Sequence, residues 1–402
     1  MLLEGYSAET VPFSLNGETK RVNYLTRVDP LSGNVSKISE DRARRSIAIS
    51  VDVDIRPVEK CQFCSYQEYT PRERIEHDSG AVSVPNLYPW EKYDWITIYP
   101  PFGEHKLLLS DLYFEDLERM VESSYDLAHI CARDPEVLSF MDFTNWGAFA
   151  GASQQHPHSQ RKSVSCILDP RQEQELRFCR GLLERYGRNP FDLLVEEERS
   201  LGLRVIYDND IFIASAFAPT CADEVIVFPR EQISHILQTS SRDRKRIVRP
   251  MLAIFPALFF YRGKTDLNMA VHMAPFREME EARSYFRWHI HIFPRRSSLP
   301  VDRAGAEIGF ETNVIDSLPE MTAEVLRSWF VDGPREDRVA KLRDGTPNQK
   351  LVEQFHRCVA NHSLAGSILS PSESPAPQNE VKTRARVGEG VETHDHGLGR
   401  VS

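Results

Sequence analysis

Residues 145–160 read NWGAFAGASQQHPHSQ, a run of small residues followed by two histidines and a glutamine. In an extended strand alternate side chains share a face, so His156, His158 and Gln160 are predicted to point the same way. The small residues before them let the backbone approach a ligand closely and offer amide groups to a phosphate. The segment predicts a phosphate-transfer site, in which a neutral imidazole attacks phosphorus and Gln160 and the loop amides stabilise the charge. The alternative interpretation is a polar ladder on an exposed strand.

A second set of residues has the spacing of metal ligands. Cys61 and Cys64, in KCQFCSY, can direct two thiolates at one ion. His105, in GEHKLLLS, is a third candidate, and His156 completes a tetrahedral Cys2His2 set. Such a closed site predicts a structural Zn²⁺ that orients the strand and leaves His158 as the free imidazole.

The composition limits the class of protein that carries these residues. The chain has 402 residues, enough for two domains, and 41% of them are hydrophobic, enough for buried cores. A formal net charge of −10 argues against nucleic acid and anionic membrane as partners and favours a small soluble substrate. The sequence lacks an apolar run of the ~20 residues that a membrane span needs and begins without the pattern of a signal peptide, so we expect a cytoplasmic location.

The body of the chain reads as one unit repeated twice. Each copy has two β-rich segments, an amphipathic helix with apolar residues three and four apart, and two more strands, the last with His-x-His. Hairpin-like connections around one helix predict an α+β fold with mostly antiparallel sheets. Residues 169–202 are predicted to be a helical connection, and residues 318–333 and 348–362 to be two closing helices. The tail, rich in Pro, Ser, Gly and charge, is predicted to be disordered.

Five motifs, in order, resemble those of the galactose-1-phosphate uridylyltransferase family, a branch of the histidine-triad superfamily. They are RVDPLSGNVSKISEDRARRS, CQFC, GEHKLLLS, NWGAFAGASQQHPHSQ and VHMAPFREMEEARSYFRWHIHIFPRR, and the likeness spans roughly residues 24 to 330. The resemblance implies two tandem histidine-triad-like domains, each an antiparallel sheet with a packed helix. The expected boundaries are 1–165 for the first domain, 166–202 for a helical linker, 203–365 for the second domain and 366–402 for the tail.

The resemblance implies a double-displacement nucleotidyl transfer in galactose and carbohydrate metabolism. His158 matches the family nucleophile, which carries a nucleoside monophosphate, here expected to be UMP, between a nucleotide sugar and a sugar 1-phosphate. Cys61, Cys64, His105 and His156 match the zinc ligands, in agreement with the assignment from spacing. A homodimer is implied as well. The family positions near the nucleotide and its phosphates correspond to Arg42, Arg45, Asn145, Gly151, Ser153 and Gln160.

The resemblance also implies a second metal, iron or zinc, which some family members hold. His272, His289 and His291 match its histidine ligands, and Glu173 and Glu175 are both candidates for its carboxylate. The alternative is that these histidines are substrate or structural contacts.

The segment GAEIGFETNVIDSLPE departs from the family pattern for the acceptor sugar. Glu311 stands where a glycine is common and Ile315 where an asparagine is common, and an unpaired carboxylate would repel a sugar phosphate. Two alternatives to the transferase therefore stay open. One is a nucleotide-sugar or dinucleotide phosphorylase or hydrolase that uses the same histidine and passes the nucleotidyl group to phosphate or water. The other is a zinc-stabilised nucleotide-binding protein without turnover.

Overall fold

One large antiparallel sheet organises the computed structural model, which describes residues 2–3, 6–15, 18–39, 61–103, 114–262, 266–295 and 304–330. The described strands are β1 (Tyr6–Leu15), β2 (Glu18–Val28), β3 (Val35–Ile38), β4 (Ile75–Glu76), β5 (Val82–Pro85), β6 (Asp94–Ile98), β7 (Ser139–Trp146), β8 (His158–Val164), β9 (Val205–Asp208), β10 (Ile211–Ser215), β11 (Val225–Pro229), β12 (Leu267–His272), β13 (His289–Pro294) and β14 (Thr312–Ile315). The described α-helices are α1 (Tyr66–Tyr69), α2 (Phe114–Cys131), α3 (Pro170–Tyr186), α4 (Pro190–Leu201), α5 (Ser241–Val248), α6 (Met251–Arg262), α7 (Met279–Ala282), α8 (Gly305–Phe310) and α9 (Pro319–Trp329).

The two sequence repeats contribute adjoining halves of this sheet. Its order is β4-β5-β6-β8-β7-β12-β13-β11-β10-β9, and all the neighbouring strands in it are antiparallel. The first half, β4 to β8, meets the second half where β7 pairs with β12. The predicted α+β class with mostly antiparallel sheets is confirmed. The domain boundaries at 165, 202 and 365 stay a prediction.

Helix α2 is the predicted amphipathic helix of the first repeat. Leu117, Val121 and Ala128 are buried at spacings of four and seven residues, and they form the stripe that packs on β7 and β8. The corresponding helix of the second repeat is divided into α5 and α6. Because proline cannot donate a backbone hydrogen bond, Pro250 separates the two helices just after Val248.

The predicted helical connection consists of α3 and α4. Asp169 caps α3 by accepting from the amides of Arg171 and Gln172, and Asn189 caps α4 by accepting from the amide of Phe191. Each cap is followed by a proline at the first helical position, where the missing N–H has no cost. These caps fix where α3 begins and therefore which of its side chains face the sheet.

A smaller sheet joins the start of the chain to its later part. Its order is β1-β2-β3-β14, and β3 and β14 form the one parallel pair among the described strands. Arg27 on β2 forms an ion pair of 3.0 Å with Glu320 on α9, the first predicted closing helix. The second predicted closing helix and the predicted disordered tail lie outside the described residues.

The largest core cluster lies between the main sheet and α2, α5, α6 and α9, and it includes Leu127, Ile254, Trp288, Ile290 and Leu326. The other side of β7, β8, β12 and β13 carries the predicted site residues. Within the described ranges, no helix is long and apolar enough to cross a membrane.

Candidate functional site

The strand register brings most of the described site residues to one face of the main sheet, here called the front face. Residues directly opposite each other in neighbouring antiparallel strands project to the same side. Gln160 on β8 lies opposite Phe143 on β7, and Asn145 lies opposite Asn268 on β12. The same register continues across β12 and β13, and it completes the front face with Ala270, His272, His289 and His291. The face therefore joins both halves of the chain.

His158 opens β8 and is held in one tautomer. Its Nδ1 lies 2.8 Å from the carbonyl oxygen of His156. A carbonyl only accepts hydrogen bonds, so Nδ1 carries the proton and Nε2 keeps its lone pair. Burial lowers the pKa of His158 from its usual value, and the hydrogen bond to the carbonyl of His156 only partly offsets this effect. The imidazole is therefore neutral near pH 7, and its Nε2 carries the lone pair that a nitrogen nucleophile needs.

Buried hydroxyl groups support β8 from the back of the sheet. Ser159, between His158 and Gln160, accepts a hydrogen bond of 2.8 Å from Tyr99 and shares one of 2.6 Å with Thr144. Ser159 is completely buried, so these bonds are shielded from water. They fix the backbone on which the two front-face side chains are mounted.

The glycine-containing loop between β7 and β8 is tightly folded. Gly147 has φ 85° and ψ 163°, and Gly151 has φ 80° and ψ 20°, conformations that favour glycine. Between them lies a short 3₁₀ turn, Ala148–Ala150. The amides of Ala150 and Ala152 donate to the carbonyl of Gly147, and the amide of Gly151 donates to that of Ala148.

This pattern limits which amides of the small-residue stretch are available to a phosphate. The amide of Phe149 is also engaged, by the Asp266 carboxylate at 2.7 Å. The amides of Ser153 and Gln154 make no hydrogen bond within the described part of the chain. These two amides lie at the end of the loop nearest His158, where they are available to a ligand. Gly151 and Ser153 are both exposed there.

Three of the four predicted zinc ligands lie together. The ligand atoms of Cys61, Cys64 and His156 are within 4.8 Å of one another. His156 Nε2 donates to the carbonyl of Tyr99 at 2.6 Å, so Nδ1 is unprotonated and faces the Cys64 sulfur at 3.3 Å. A tetrahedral Zn²⁺ places a sulfur and a nitrogen ligand about 3.6 Å apart, so the donor set fits this ion.

Three predicted site residues lie outside the described residues. They are His105, the fourth predicted zinc ligand, and Arg42 and Arg45, the predicted nucleotide contacts. Within the first repeat, the described residues therefore include the predicted nucleophile His158, the neighbouring Gln160 and three of the four predicted zinc ligands.

The second group of histidines lies around one carboxylate. The ligand atoms of Glu175, His272, His289 and His291 are within 4.8 Å of one another. Glu175 lies 2.7 Å from Nδ1 of His272 and 3.6 Å from Nε2 of His289. Glu173 is exposed on α3, so of the two candidate carboxylates only Glu175 reaches the histidines.

The protonation of this cluster suits a cation. Burial lowers the pKa of His272 to about 4 and also lowers that of His291, so both rings are neutral at pH 7. Although burial opposes ionisation of Glu175, its contacts with His272 and His289 hold its pKa well below the usual value. Nδ1 of His291 lies 2.7 Å from Glu224, a contact that orients this ring with a carboxylate outside the cluster.

A cavity of about 540 Å³ opens on the front face at β7 and β12. His272 and Asn268 line it from the sheet, Arg171 and Arg295 supply cationic groups, and Glu311 lines another wall. Glu311 has φ 52°, the left-handed region that glycine adopts more easily, consistent with the glycine common at this position. Ile315 is buried in β14 opposite Ile38, so it is a core residue.

Sequence reasoning did not single out Asp266, Asn268 and Glu224. Asp266 and Asn268 lie in the DLNMAVH stretch, just before the predicted ligand His272. Their contacts to residues more than 100 positions away depend on the pairing of β7 with β12, which no local pattern specifies. Glu224 likewise reaches His291 through the pairing of β11 with β13.

Several known proteins are similar to this chain in sequence, although no protein-family model matches it. A galactose-1-phosphate uridylyltransferase from Thermotoga maritima is 25% identical over 236 residues, which are 57% of this chain and 72% of that protein. One from Neurospora crassa is 25% identical over 207 residues, 49% of this chain and 51% of that protein. An ADP-glucose phosphorylase from Arabidopsis thaliana is 25% identical over 186 residues, 46% of this chain and 50% of that protein. The chain thus spans about half the length of the last two relatives.

Solved structures of other proteins have a fold similar to that of this chain. The structure of an ADP-glucose phosphorylase from Arabidopsis thaliana with bound ADP-glucose has a TM-score of 0.64 at 20% identity, covering 77% of this chain and 99% of that one. A uridylyltransferase structure has a TM-score of 0.58 at 20% identity, covering 75% of this chain and 97% of that one. The resemblance to the galactose-1-phosphate uridylyltransferases is confirmed. This relative of the uridylyltransferases has their fold, a duplicated α+β arrangement with large antiparallel sheets.

Proposed function

We propose that the protein transfers a nucleoside monophosphate between two phosphate-bearing substrates through a covalent intermediate on His158. One observation carries the proposal: the carbonyl of His156 fixes the proton on Nδ1 of His158, so that Nε2 is available for attack. Gln160 on the same face supplies an amide donor for the transferred phosphate. The relatives named above as uridylyltransferases and as an ADP-glucose phosphorylase support this class of reaction.

The proposed reaction consists of two displacements at one phosphorus atom. In the first, the Nε2 lone pair of His158 attacks the α-phosphorus of a nucleotide sugar and forms a P–N bond. The P–O bond to the sugar phosphate breaks, and the leaving oxygen takes the electron pair. In the second, a phosphate oxygen of the acceptor attacks the same phosphorus, and the P–N electrons return to Nε2. Because Nδ1 keeps its proton throughout, the ring needs no other base.

The amide side chains next to His158 stabilise the transferred group. Charge builds up on the nonbridging oxygens of the phosphorus during each displacement, and fixed donors at that position lower the barrier. Gln160 lies on β8 and Asn145 on the neighbouring strand β7, and both face the front of the sheet. The NH2 groups of their side-chain amides are the proposed donors. Ser153, at the exposed end of the glycine-containing loop, is the proposed contact for the remaining oxygen.

Two acceptors are consistent with this chemistry. With a sugar 1-phosphate as acceptor, the protein is a hexose-1-phosphate nucleotidyltransferase, and uridine is the base expected from the family. With inorganic phosphate, it is a nucleotide-sugar phosphorylase that releases a nucleoside diphosphate. The Arabidopsis thaliana ADP-glucose phosphorylase among the relatives favours this second candidate, with adenosine as the base. Glu311, at the wall of the cavity, is an acceptor for sugar hydroxyl groups in either case.

We also propose two metal sites. Cys61, Cys64 and His156, together with His105, would hold a structural Zn²⁺ that fixes the segment leading into β8. Glu175, His272, His289 and His291 would hold a second ion, iron or zinc, which supplies a fixed positive charge on the front face. The homodimer and the cytoplasmic location stay predictions.

Isotope exchange tests the covalent route with only a nucleotide sugar and its own leaving group, glucose 1-phosphate, present. If His158 takes the nucleotidyl group, radiolabelled glucose 1-phosphate enters UDP-glucose or ADP-glucose with no other acceptor present. We expect His158→Ala to abolish this exchange and His129→Ala, which removes an exposed histidine on α2, to leave it unchanged. Adding galactose 1-phosphate or inorganic phosphate then identifies the acceptor. Absence of exchange with every nucleotide sugar, with folding intact, would contradict the proposal.

A further inference from the structure

The glycine-containing loop of the first half is held by two side chains from the second half. Asp266 accepts a hydrogen bond of 2.7 Å from the amide of Phe149, the middle residue of the 3₁₀ turn. Gly147 lies directly against the same carboxylate, because a Cβ added to it would be 2.2 Å from Asp266. Asp266 is itself buried, so the contact is made in a medium that strengthens it.

Asn268, two residues further along the chain, makes two bonds to the same region. Its Nδ2 donates to Oδ1 of Asn145 at 2.7 Å and to the carbonyl of Ala150 at 2.8 Å. The first bond fixes Oδ1 of Asn145 as an acceptor, so the Nδ2 group of Asn145 points away from Asn268 and can donate to a ligand on the front face. The second bond fixes the end of the 3₁₀ turn, one residue before Gly151.

We propose that Asp266 and Asn268 are positioning residues, which hold the loop and the Asn145 amide in the orientation that nucleotidyl transfer needs. The two residues flank Leu267, the first residue of β12, whose pairing with β7 joins the two halves of the sheet. The second repeat thus contributes to the site by orienting the phosphate-binding elements of the first. The inference rests on the proposed function, because it assigns the loop a role in phosphate transfer.

The expected size of the effect follows from the geometry. A displacement of about 1 Å at a group that stabilises the reacting centre can reduce the rate about 100-fold. Asn268→Asp removes the donor to Asn145 and Ala150 and puts a carboxylate beside two oxygen atoms. We expect it to slow the nucleotidylation of His158 in a single turnover about 10- to 100-fold. The dissociation constant for UDP-glucose or ADP-glucose is compared between His158→Ala and the double variant His158→Ala/Asn268→Asp, neither of which can react. It should differ less than about threefold, since the loop acts mainly on the transition state.

Asp266 offers a conservative rescue. Asp266→Ala removes the acceptor for the Phe149 amide, whereas Asp266→Asn keeps a side chain of the same shape with one acceptor oxygen. We expect Asp266→Ala to be as slow as Asn268→Asp, and Asp266→Asn to recover most of the wild-type rate. Asn209→Asp makes the same chemical change in an exposed turn of the second half and should react like the wild type. Equal rates for wild type, Asp266→Ala and Asn268→Asp would overturn the proposal.

Hydrogen–deuterium exchange separates this inference from the proposed function. It needs no substrate and reports directly on the amides of Phe149, Ala150 and Ala152. In the full-length protein we expect Asp266→Ala and Asn268→Asp to speed exchange at these amides, while Asp266→Asn and Asn209→Asp leave it near the wild-type rate. Unchanged protection in the first two variants would refute the positioning role. If these two variants show the faster exchange but the wild-type protein is never nucleotidylated, only the proposed reaction is refuted.

Discussion

Gly147→Ala is expected to be the most damaging single-methyl change in the glycine-containing loop. At φ 85° and ψ 163° the residue occupies a region that is essentially restricted to glycine. The added Cβ would also lie 2.2 Å from the Asp266 carboxylate, which must move and give up its hydrogen bond to the Phe149 amide. Gly151→Ala is the comparison variant, because Gly151 also has a positive φ, of 80°, but nothing within 4 Å of the position of its Cβ.

The magnitudes differ because the two changes break different interactions. Gly151→Ala should cost about 1–2 kcal/mol, the cost of a left-handed conformation in a residue with a Cβ. Gly147→Ala adds a backbone cost near the upper end of about 1–3 kcal/mol to the loss of a charge-assisted hydrogen bond worth about 1.5–3 kcal/mol. We therefore expect about 4–6 kcal/mol of destabilisation for Gly147→Ala.

Urea unfolding followed by circular dichroism measures both free energies. A double-mutant cycle with Asp266→Ala isolates the contact, because the double variant loses the Phe149 hydrogen bond only once. The free-energy cost of the double variant should fall below the sum of the single costs by about 1.5–3 kcal/mol. Equal destabilisation by Gly147→Ala and Gly151→Ala, together with additive costs in the cycle, would refute the contact between Gly147 and Asp266.

Three further predictions concern a buried histidine and the two metal sites. Burial lowers the pKa of His235 to about 3, so below pH 6.5 the unfolded state binds more protons than the native state, and stability decreases as the pH is lowered. His235→Asn keeps an acceptor for the Leu237 amide and should remove about 2 kcal/mol of the wild-type loss between pH 7 and pH 5; an unchanged slope would contradict this. Cys64→Ser should lose one zinc ion per chain by elemental analysis, whereas Cys166→Ser, at an exposed cysteine, should lose none; equal zinc in both would exclude the first site. Glu175→Gln should remove the second ion and spare the first, and loss of neither would exclude that site.

The local patterns predicted several elements of the fold and the relative placement of two candidate site residues. The spacing of His158 and Gln160 in an extended segment indicated a shared face, and the structure places both on the front face. The apolar residues three and four apart in residues 112–132 predicted a helix, and the buried residues of α2 recur at these spacings. His156 was expected to share the face of His158 and Gln160, but it precedes β8, so the alternation of side chains along the strand does not extend to it. Its side chain contacts Cys64.

The long-range contacts were beyond prediction because they depend on tertiary register. Whether Glu173 or Glu175 faces the histidines is decided by the Asp169 cap, which sets the rotation of α3 at its first turn. The hydrogen bond of the Phe149 amide depends on Asp266, which lies more than 100 residues away along the chain. The size and lining of the cavity likewise follow from strands contributed by both halves.

Detection of the intermediate tests the central claim most directly. The full-length protein is mixed with UDP-glucose or ADP-glucose without acceptor, quenched under alkaline conditions that preserve a phosphoramidate, and mapped by peptide mass spectrometry. The proposed mechanism predicts that one nucleoside monophosphate is attached to His158 and is lost again when sugar 1-phosphate or phosphate is added. An adduct on another residue, an adduct that persists in His158→Ala, or turnover of the nucleotide sugar without any adduct in the wild type would contradict it.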